Sequence, residues 1–420
     1  MLETGPHETE PLTAPKTRRF QEKREAVLGA AARLFNERGL KGAGLGDIAA
    51  SVGLVKSGIT YYFRKKEDLA AACLLRAITE LKALALDAAL ETTVSRRVQR
   101  FLVGQAEQLA AIERGERSAL IGFSETRALP DAQAQEVYAA YNELFRCVRR
   151  LLAGPETAAL GRDALNARAY LLLSVAHTMP AWVLRCETDV YLRLARRVAD
   201  IVLYGVLAAA MPWPSEAELM ARALPDPPPA SDDTSEAFLR AATELVNDQG
   251  YRGASVDKIA ALLDATKGKF YHHNETKDDL VSACFERSFA IQRHFLKSAE
   301  SVDGSNALRL AAMANAMVRF QLSERGPLLR ASAYSALPDE QHREVVYRTM
   351  QRLTERLGSL LVDGLLDGSV RPLDTGLAAE AISATINGAV ELRRWVPGVT
   401  ADSVFRLYTR PGLLGLLCDE

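Results

Sequence analysis

Cysteine is scarce in this chain of 420 residues, which contains only five, an odd number. They lie far apart, and no two form a CxxC pair: Cys73, Cys147, Cys186, Cys284 and Cys418. This usage argues against a disulfide framework and against a structural zinc site. Long apolar runs are lacking as well, since no stretch reaches the length of a membrane-spanning helix. No apolar segment follows Met1 as it would in a signal peptide. We therefore expect a cytoplasmic protein.

The motifs of common enzyme classes are also missing. The sequence has no GxSxG, no P-loop, no GxGxxG after a strand and no HExxH. His272 and His273 are adjacent, which is poor spacing for a pair of metal ligands on a helix. We expect no catalytic residues, no metal site and no cofactor, and hence no enzyme.

Neither sign of charge dominates the chain. Its 52 Lys and Arg residues against 53 Asp and Glu give a net charge of −1, which does not by itself indicate a nucleic-acid binder. A hydrophobic content of 48% and a charged content of 25% are ordinary for a soluble globular protein. The length alone predicts two domains or more.

The sequence does contain a long internal repeat. Residues 25–69 and 236–280 align without a gap at a shift of 211 positions. The identical pairs are Glu25 and Glu236, Leu34 and Leu245, Asn36 and Asn247, Gly39 and Gly250, Gly42 and Gly253, Ile48 and Ile259, Lys56 and Lys267, and Lys66 and Lys277. Such self-similarity indicates that a whole folded unit was duplicated. Residues 128–131 and 336–339 also match, so the later segments are expected to be equivalent too.

The pattern of the unit predicts a helix-turn-helix. Apolar residues three and four apart predict a first helix over about 21–38, which Gly39 should end with a positive φ. Short helices are expected over 45–51 and 55–62, with a turn at Val52-Gly53. In the second copy Ser255 is expected to cap helix two, and Asp264 replaces the turn glycine. The second helix of such a pair lies in the DNA major groove.

Residues at fixed spacing in both copies carry a resemblance to a known family. In the first copy they are Gly39, Asp47-Ile48-Ala49, Gly53, Lys56, Tyr61-Tyr62-Phe63 and Lys66-Glu67-Asp68-Leu69. In the second they are Gly250, Lys258-Ile259-Ala260, Thr266-Lys267-Gly268, Phe270-Tyr271 and Lys277-Asp278-Asp279-Leu280. Each set resembles the N-terminal DNA-binding domain of the TetR family of transcriptional regulators. Thr60, where the family usually has tyrosine, and Asn274, opposite Phe63 of the first copy, depart from its pattern.

The resemblance implies an all-α chain of two tandem units, each a three-helix head followed by a helical regulatory domain. It also implies contacts with double-stranded operator DNA. The residues expected to make them are Lys56, Ser57, Thr60, Tyr61 and Lys66 in the first copy, and Ser255, Thr266, Lys267, Lys269, Tyr271, His272 and Lys277 in the second. Lysines 56 and 267 and tyrosines 61 and 271 are assigned to the DNA backbone, and Ser57, Thr60 and Lys269 to base edges. Lys66 and Lys277 are expected to touch phosphate.

The two heads differ in charge. Residues 24–69 carry eight bases and five acids, a net charge of +3, and more basic residues lie just upstream. Residues 235–280 carry six bases and eight acids, a net charge of −2. Because phosphate contacts dominate DNA affinity, the first head is expected to bind more strongly, unless the charges are merely scattered over small helical domains.

Composition divides the chain into six parts. The first part is a polar tail at 1–17, which is expected to be disordered. The others are the first head at 18–65, the first regulatory domain at 66–211, a proline-rich linker at 212–234, the second head at 235–276 and the second regulatory domain at 277–420. Regulatory helices are expected over 66–90, 96–114, 118–127, 132–152, 161–185 and 189–211, then over 277–297, 306–324, 328–336, 339–367, 376–395 and 402–418, the last interrupted at Pro411.

Polar and aromatic residues inside apolar helices are the candidates for binding a small apolar or amphipathic effector. They are His177 and Trp182, on a helix that Pro180 is expected to kink or end, and Met313, Met317 and Asn387 in the second half. Each is also open to interpretation as core packing, which is the reading we favour. Nothing in the sequence names the ligand.

Members of the family typically act as homodimers, so a chain with two heads implies an intramolecular pseudo-dimer. Its regulatory halves would pack through their last two helices, with the heads about one DNA turn apart. The expected function is that of a ligand-responsive transcriptional regulator and repressor. Two alternatives stay open. In one, only the first head binds DNA and the second half serves dimerisation or ligand binding. In the other, the chain binds ligands or partners without repressing.

Overall fold

The computed structural model describes residues 18–123, 129–209, 211, 213–229, 233–263, 276–337 and 339–419. The N-terminal tail, the second turn at Asp264 and the second recognition helix lie outside these residues, as does Asn274.

The first head contains the three expected helices. They are α1 (Arg18–Gly42), α2 (Leu45–Ser51) and α3 (Lys56–Thr60). The apolar face of α1 is buried, with Val27, Leu28 and Phe35 almost inaccessible. Gly39 leaves helical geometry with a φ of 65°, and Gly53 turns the chain between α2 and α3 with a φ of 66°. Both glycines therefore act where the sequence predicts.

Helices account for most of the rest of the first half. They are α4 (Lys66–Ala88), α5 (Val94–Glu113), α6 (Asp131–Leu151), α7 (Arg162–Val183) and α8 (Tyr191–Tyr204), with 3-10 turns at Pro155–Thr157 and Thr188–Val190. Helix α4 packs against α1, α5 and α6, and α5 packs against α8. A short α9 (Glu216–Ala221) lies within the expected linker.

The second half repeats this order in its described residues. Its head contains α10 (Asp233–Gly253) and α11 (Val256–Leu262), and Gly250 has a φ of 69° at the position equivalent to Gly39. The regulatory part contains α12 (Lys277–Glu300), α13 (Asn306–Leu322), α14 (Glu340–Leu366), α15 (Thr375–Gly388), α16 (Leu392–Trp395) and α17 (Arg410–Leu414). Residues Ala331–Ala336 and Ala389–Glu391 are 3-10 turns, and Phe405–Thr409 is a π-helix.

The two halves pack into one continuous core. Helices α7 and α8 contact α15, and α7 also contacts the π-helix near the C-terminus. Asn166 on α7 donates its side-chain amide to the Trp395 carbonyl at 3.0 Å. Arg168, fully buried, donates from Nε to the Leu416 carbonyl at 3.0 Å. Because these polar groups bond to carbonyls of the opposite half, the interface fixes the halves relative to each other.

The backbones of the halves also cross at a pair of glycines. The Val206 amide donates to the Leu413 carbonyl at 2.8 Å. Gly205 has a φ of 70° and Gly415 a φ of 93°. A Cβ atom on Gly205 would collide with the Leu413 carbonyl oxygen, and one on Gly415 with the Leu203 carbonyl oxygen. Only glycine fits this crossing without strain.

Several helix predictions for the first half are wrong. Residues 118–122 are not helical, because Asn36 holds their main chain, and residues 124–128 lie outside the description. Helix α8 ends at Tyr204 rather than residue 211, since Gly205 takes a positive φ at the crossing. Pro180 does not end α7, which continues to Val183.

The second half departs from the predictions in three places. The last helix, expected over 402–418, is a π-helix over Phe405–Thr409 that passes directly into α17 beside Pro411 and ends at Leu414. The helix expected over 376–395 is divided by the 3-10 turn at Ala389–Glu391. The helix expected over 328–336 is a 3-10 turn that begins at Ala331.

Candidate functional site: two heads and a shared cavity

The short helix α3 presents one polar face to solvent. Ile59 is fully buried and fixes the helix to the head. Lys56, Ser57 and Thr60 are exposed, and Tyr61 just beyond the helix is 74% exposed. Four of the five contact residues predicted for the first head therefore lie together and are accessible.

A cluster of aromatic side chains packs next to the exposed face of α3. Phe20, at the start of α1, packs against the rings of Tyr61 and Tyr62 at 5.7 and 4.9 Å between centres. Phe63 is buried, and the Arg24 guanidinium lies 5.2 Å from its ring centre. The sequence gives no signal of this packing role for Phe20, which lies among the basic residues upstream of residue 24.

The first lysine of the helix after each head points inward. Lys66 Nζ donates to the Ala43 carbonyl at 3.2 Å. Lys277 Nζ donates to the Tyr251 carbonyl and lies 4.1 Å from the centre of the Tyr251 ring. Both ammonium groups thus bond to the main chain at or just after the end of a head's first helix and link the head to the regulatory domain. Their expected contact with phosphate stays a prediction.

In the second head, most of the expected DNA contacts lie outside the described residues: Thr266, Lys267, Lys269, Tyr271 and His272. Ser255 caps α11, and its hydroxyl accepts from the Lys258 amide at 3.3 Å. This confirms its role as an N-cap. Gly44, which has no side chain to offer, instead donates its amide to Asp47 Oδ2 at 3.1 Å.

Each head is anchored to its regulatory half by the same asparagine. Asn36 Nδ2 donates to the Leu120 carbonyl at 2.9 Å, and Asn36 Oδ1 accepts from the Gly122 amide at 2.9 Å. Asn247 does the same with the Leu328 carbonyl at 2.8 Å and the Arg330 amide at 3.0 Å. The pair aligns in the sequence repeat, but its role appears only in the structure.

A cavity of about 1180 Å³ lies between the two halves. Its walls come from the first helix of both heads, from α5, α6 and α7, and from α14, α15 and the segment around Arg330. Asn36 and Asn247, the two anchors, are both part of its lining. His177 and Asn387, predicted from separate halves as ligand candidates, line this one cavity.

The other ligand candidates lie elsewhere. Met313 and Met317 line a small cavity of about 60 Å³ in the second half, which Asn387 also borders. Trp182 is buried in the core and lines none of the three described cavities, so its assignment to a ligand site stays a prediction. The sequence could not separate these cases, because a buried aromatic residue gives the same pattern in a core as beside a cavity.

Gln105 Oε1 and His177 Nε2 are buried polar atoms on the cavity wall for which the described part of the chain offers no hydrogen-bond partner. Gln105 is 8% exposed, and its Nε2 donates to the Ala176 carbonyl at 2.8 Å. The His177 ring packs against Phe123 and Tyr141, at 4.6 and 5.8 Å between centres. Burial lowers the pKa of His177 to about 4, so its imidazole is neutral at pH 7.

Arg394 provides positive charge at the wall. Its guanidinium carbon lies 4.7 Å from the centre of the Tyr138 ring and 5.9 Å from that of Tyr141. Within the described ranges no carboxylate lies within ion-pair distance of Arg394. By contrast, Arg185 and Arg330 of the same cavity pair with Glu380 and Glu391.

A profile of the tetR family of bacterial regulatory proteins matches the chain twice, over residues 27–73 and 238–284. Both heads belong to this family. The two matches lie on the helix-turn-helix heads of an all-α fold. The TetC protein of transposon Tn10 from Escherichia coli is 32% identical over 76 residues, which cover 18% of this chain and 39% of the relative. The chain thus spans well under two thirds of that relative's length.

Solved structures of transcriptional regulators match less than half of the chain, at low similarity. PfmR from Thermus thermophilus is 23% identical with a TM-score of 0.35, over 43% of this chain and 98% of that one. KstR2 of Mycobacterium tuberculosis, a ketosteroid transcriptional regulator, is 18% identical with a TM-score of 0.36, over 45% and 98%. FadR from Bacillus subtilis, solved with stearoyl-CoA, is 17% identical with a TM-score of 0.34, over 43% and 97%.

The described helices of the two TetR-like units include none that is both long and apolar enough to cross a membrane. Among the same residues, no three His, Cys, Asp or Glu side chains group closely enough to hold a metal ion.

Proposed function

We propose that the chain is a ligand-responsive DNA-binding repressor that acts as an intramolecular pseudo-dimer. The observation that carries this proposal is the presence of two TetR-family heads in one chain whose regulatory halves share a core through α7, α8 and α15. Where a homodimer uses two chains to present two heads, this chain carries both. Covalent linkage makes the pairing of the heads independent of concentration. It also leaves the two heads free to diverge and to read an asymmetric operator.

In this proposal the exposed face of α3 enters the major groove of the operator. Lys56 and Tyr61 contact the DNA backbone and set the register, whereas Ser57 and Thr60 reach base edges. Thr60 already donates its hydroxyl to the Ser57 carbonyl at 2.8 Å, which holds its side chain against the helix. In the second head Lys267, which aligns with Lys56, is assigned to the backbone. Tyr271, at the position where the family usually has tyrosine, is also assigned to the backbone, and Lys269 to base edges.

The effector in this proposal is a small apolar or amphipathic molecule that changes the relative position of the heads. The cavity between the halves supports this, because its lining includes the head anchors Asn36 and Asn247. Binding can lower operator affinity only if the ligand favours the arrangement that fits DNA less well. In this proposal the chain represses transcription, and ligand binding relieves the repression.

The test is a gel-shift titration on the DNA upstream of the protein's own gene. It compares the wild type with Lys56→Ala/Tyr61→Ala and with Lys267→Ala/Tyr271→Ala. Each double variant is expected to weaken binding about tenfold or more, because each removes two backbone contacts. Lys297→Ala removes one exposed positive charge from α12, outside the heads, and is the control expected to bind like wild type.

The charge difference between the heads favours a second candidate. With a net charge of −2 against +3, the second head attracts phosphate less than the first. If only the first double variant loses affinity, the second half serves dimerisation or ligand binding, and two chains must then pair to present two first heads.

A further inference from the structure

The large cavity belongs to both halves together. Its wall includes α7 of the first half and α14 and α15 of the second. It also includes the parts of α1 and α10 that carry the head anchors Asn36 and Asn247. A volume of about 1180 Å³ is enough for a drug-sized molecule. One occupant can therefore contact both halves and both head-bearing helices at once.

The cavity wall has polar atoms that a ligand would satisfy. A buried acceptor without a donor is costly, and Gln105 Oε1 is such an acceptor in the described part of the chain. Its amide is held in place by the bond from Nε2 to the Ala176 carbonyl. The neutral His177 ring nearby offers one donor and one acceptor, and its Nε2 also has no described partner. A ligand with an N–H or O–H group would donate the missing hydrogen bond to Gln105 Oε1 at this end of the cavity.

Another part of the wall combines aromatic rings with a cation, whereas the carboxylates of the lining are Glu37, Glu113, Glu116, Glu380 and Glu391. The rings of Phe123, Tyr141 and His177 lie in mutual contact at 4.6 to 5.8 Å between centres, which suits a flat unsaturated body. Arg394 is stacked on the neighbouring Tyr138 ring and lacks a described carboxylate partner. Its planar set of N–H donors matches a carboxylate, sulfonate or phosphate group.

From this arrangement we infer that each chain binds one aromatic, amphipathic anion in the shared cavity. The anionic group lies on Arg394, the ring system lies against Phe123, Tyr141 and His177, and a donor group bonds to Gln105 Oε1. A consequence of this binding is that a single ligand acts on both heads through the cavity wall that they share. This consequence rests on the proposed function.

The test uses anilinonaphthalene sulfonate, a fluorescent aromatic anion with an N–H donor, on the full chain. The expected result is one saturable site per chain, and at least about tenfold weaker binding of phenylnaphthylamine, the same ring system without the sulfonate. Arg394→Gln is expected to weaken dye binding about tenfold, and Gln105→Leu about threefold or more. Arg348→Gln, on the exposed surface of α14 and outside the cavity lining, is the matched control and should bind like wild type.

Two equal sites per chain, or wild-type dye affinity in Arg394→Gln, would overturn the inference. Melting temperatures of all variants check that they fold, and since Arg394 is exposed its replacement should leave the melting temperature unchanged. Gel shifts without dye test the regulator proposal separately. A wild-type protein that binds the dye as described but shifts no DNA would refute the proposed function and leave the site standing.

Discussion

At the scale of single residues, one ion pair ties each head to the helix that follows it. Arg76 Nη1 and Glu25 Oε2 are 3.0 Å apart, and Arg287 Nη2 and Glu236 Oε1 are 2.7 Å apart at the equivalent positions. The pairs differ in burial. The Arg287 side chain is 1% exposed and that of Glu236 13%, against 13% and 51% for the first pair. Arg287 also donates to the Arg325 carbonyl at 2.6 Å.

We predict that Glu236→Gln destabilises the chain more than Glu25→Gln. Removing one partner from a buried pair leaves a charge without compensation, and we expect a loss of about 2 kcal/mol in the free energy of unfolding. The exposed pair of the first head should lose less than about 1 kcal/mol. Urea unfolding of both variants measures the difference. Equal losses would show that burial does not govern these pairs.

A double replacement serves as the control for this prediction. Changing Glu236 to Leu together with Arg287 to Met removes both charges from the same buried site. Because apolar groups of similar size often replace a buried ion pair at little cost, the double variant should recover much of the stability lost in Glu236→Gln.

The sequence could predict which of these residues are equivalent, but not what they do. Glu25 aligns with Glu236 and Asn36 with Asn247 in the repeat. The partners of the two asparagines are main-chain groups more than 80 positions away, in loops that carry no motif. A contact of this kind depends on the tertiary fold, and local spacing gives no signal of it.

At the scale of helices, the sequence predicts the starts and stops that local chemistry decides. Gly39 and Gly250 leave helical geometry with φ values of 65° and 69°, and Ser255 caps α11. The sequence does not predict the helix ends that are set by contacts with distant segments of the chain. Residues 205–211 have helix-forming composition, yet α8 ends at Tyr204 because Gly205 crosses the C-terminal segment of the other half.

We predict that Gly205→Ala destabilises the chain by at least about 2 kcal/mol. A positive φ alone costs an L-residue about 1–2 kcal/mol, and the new Cβ atom would also meet the Leu413 carbonyl oxygen. Gly398→Ala is the matched control, since a Cβ atom there meets nothing within 4 Å. Thermal unfolding compares the two, and a Gly205→Ala protein as stable as Gly398→Ala would show that the crossing is not close-packed.

At the scale of the whole molecule, the duplication is visible in the sequence, whereas the shared cavity is not. Its lining joins residues from α1 to Arg394, and no stretch of the chain contains enough of them to show a pattern. His177 and Asn387 could be identified as polar residues in apolar helices, but only the packing of α7 beside α15 brings them to the same space.

The central claim is that one chain presents both heads to one operator. Native mass spectrometry of the purified protein bound to operator DNA tests it directly, with protein varied from nanomolar to micromolar concentration. The account predicts one chain per operator duplex throughout this range, because the linked halves need no second chain. A complex that contains two chains per operator at every concentration, with no one-chain complex, would contradict it.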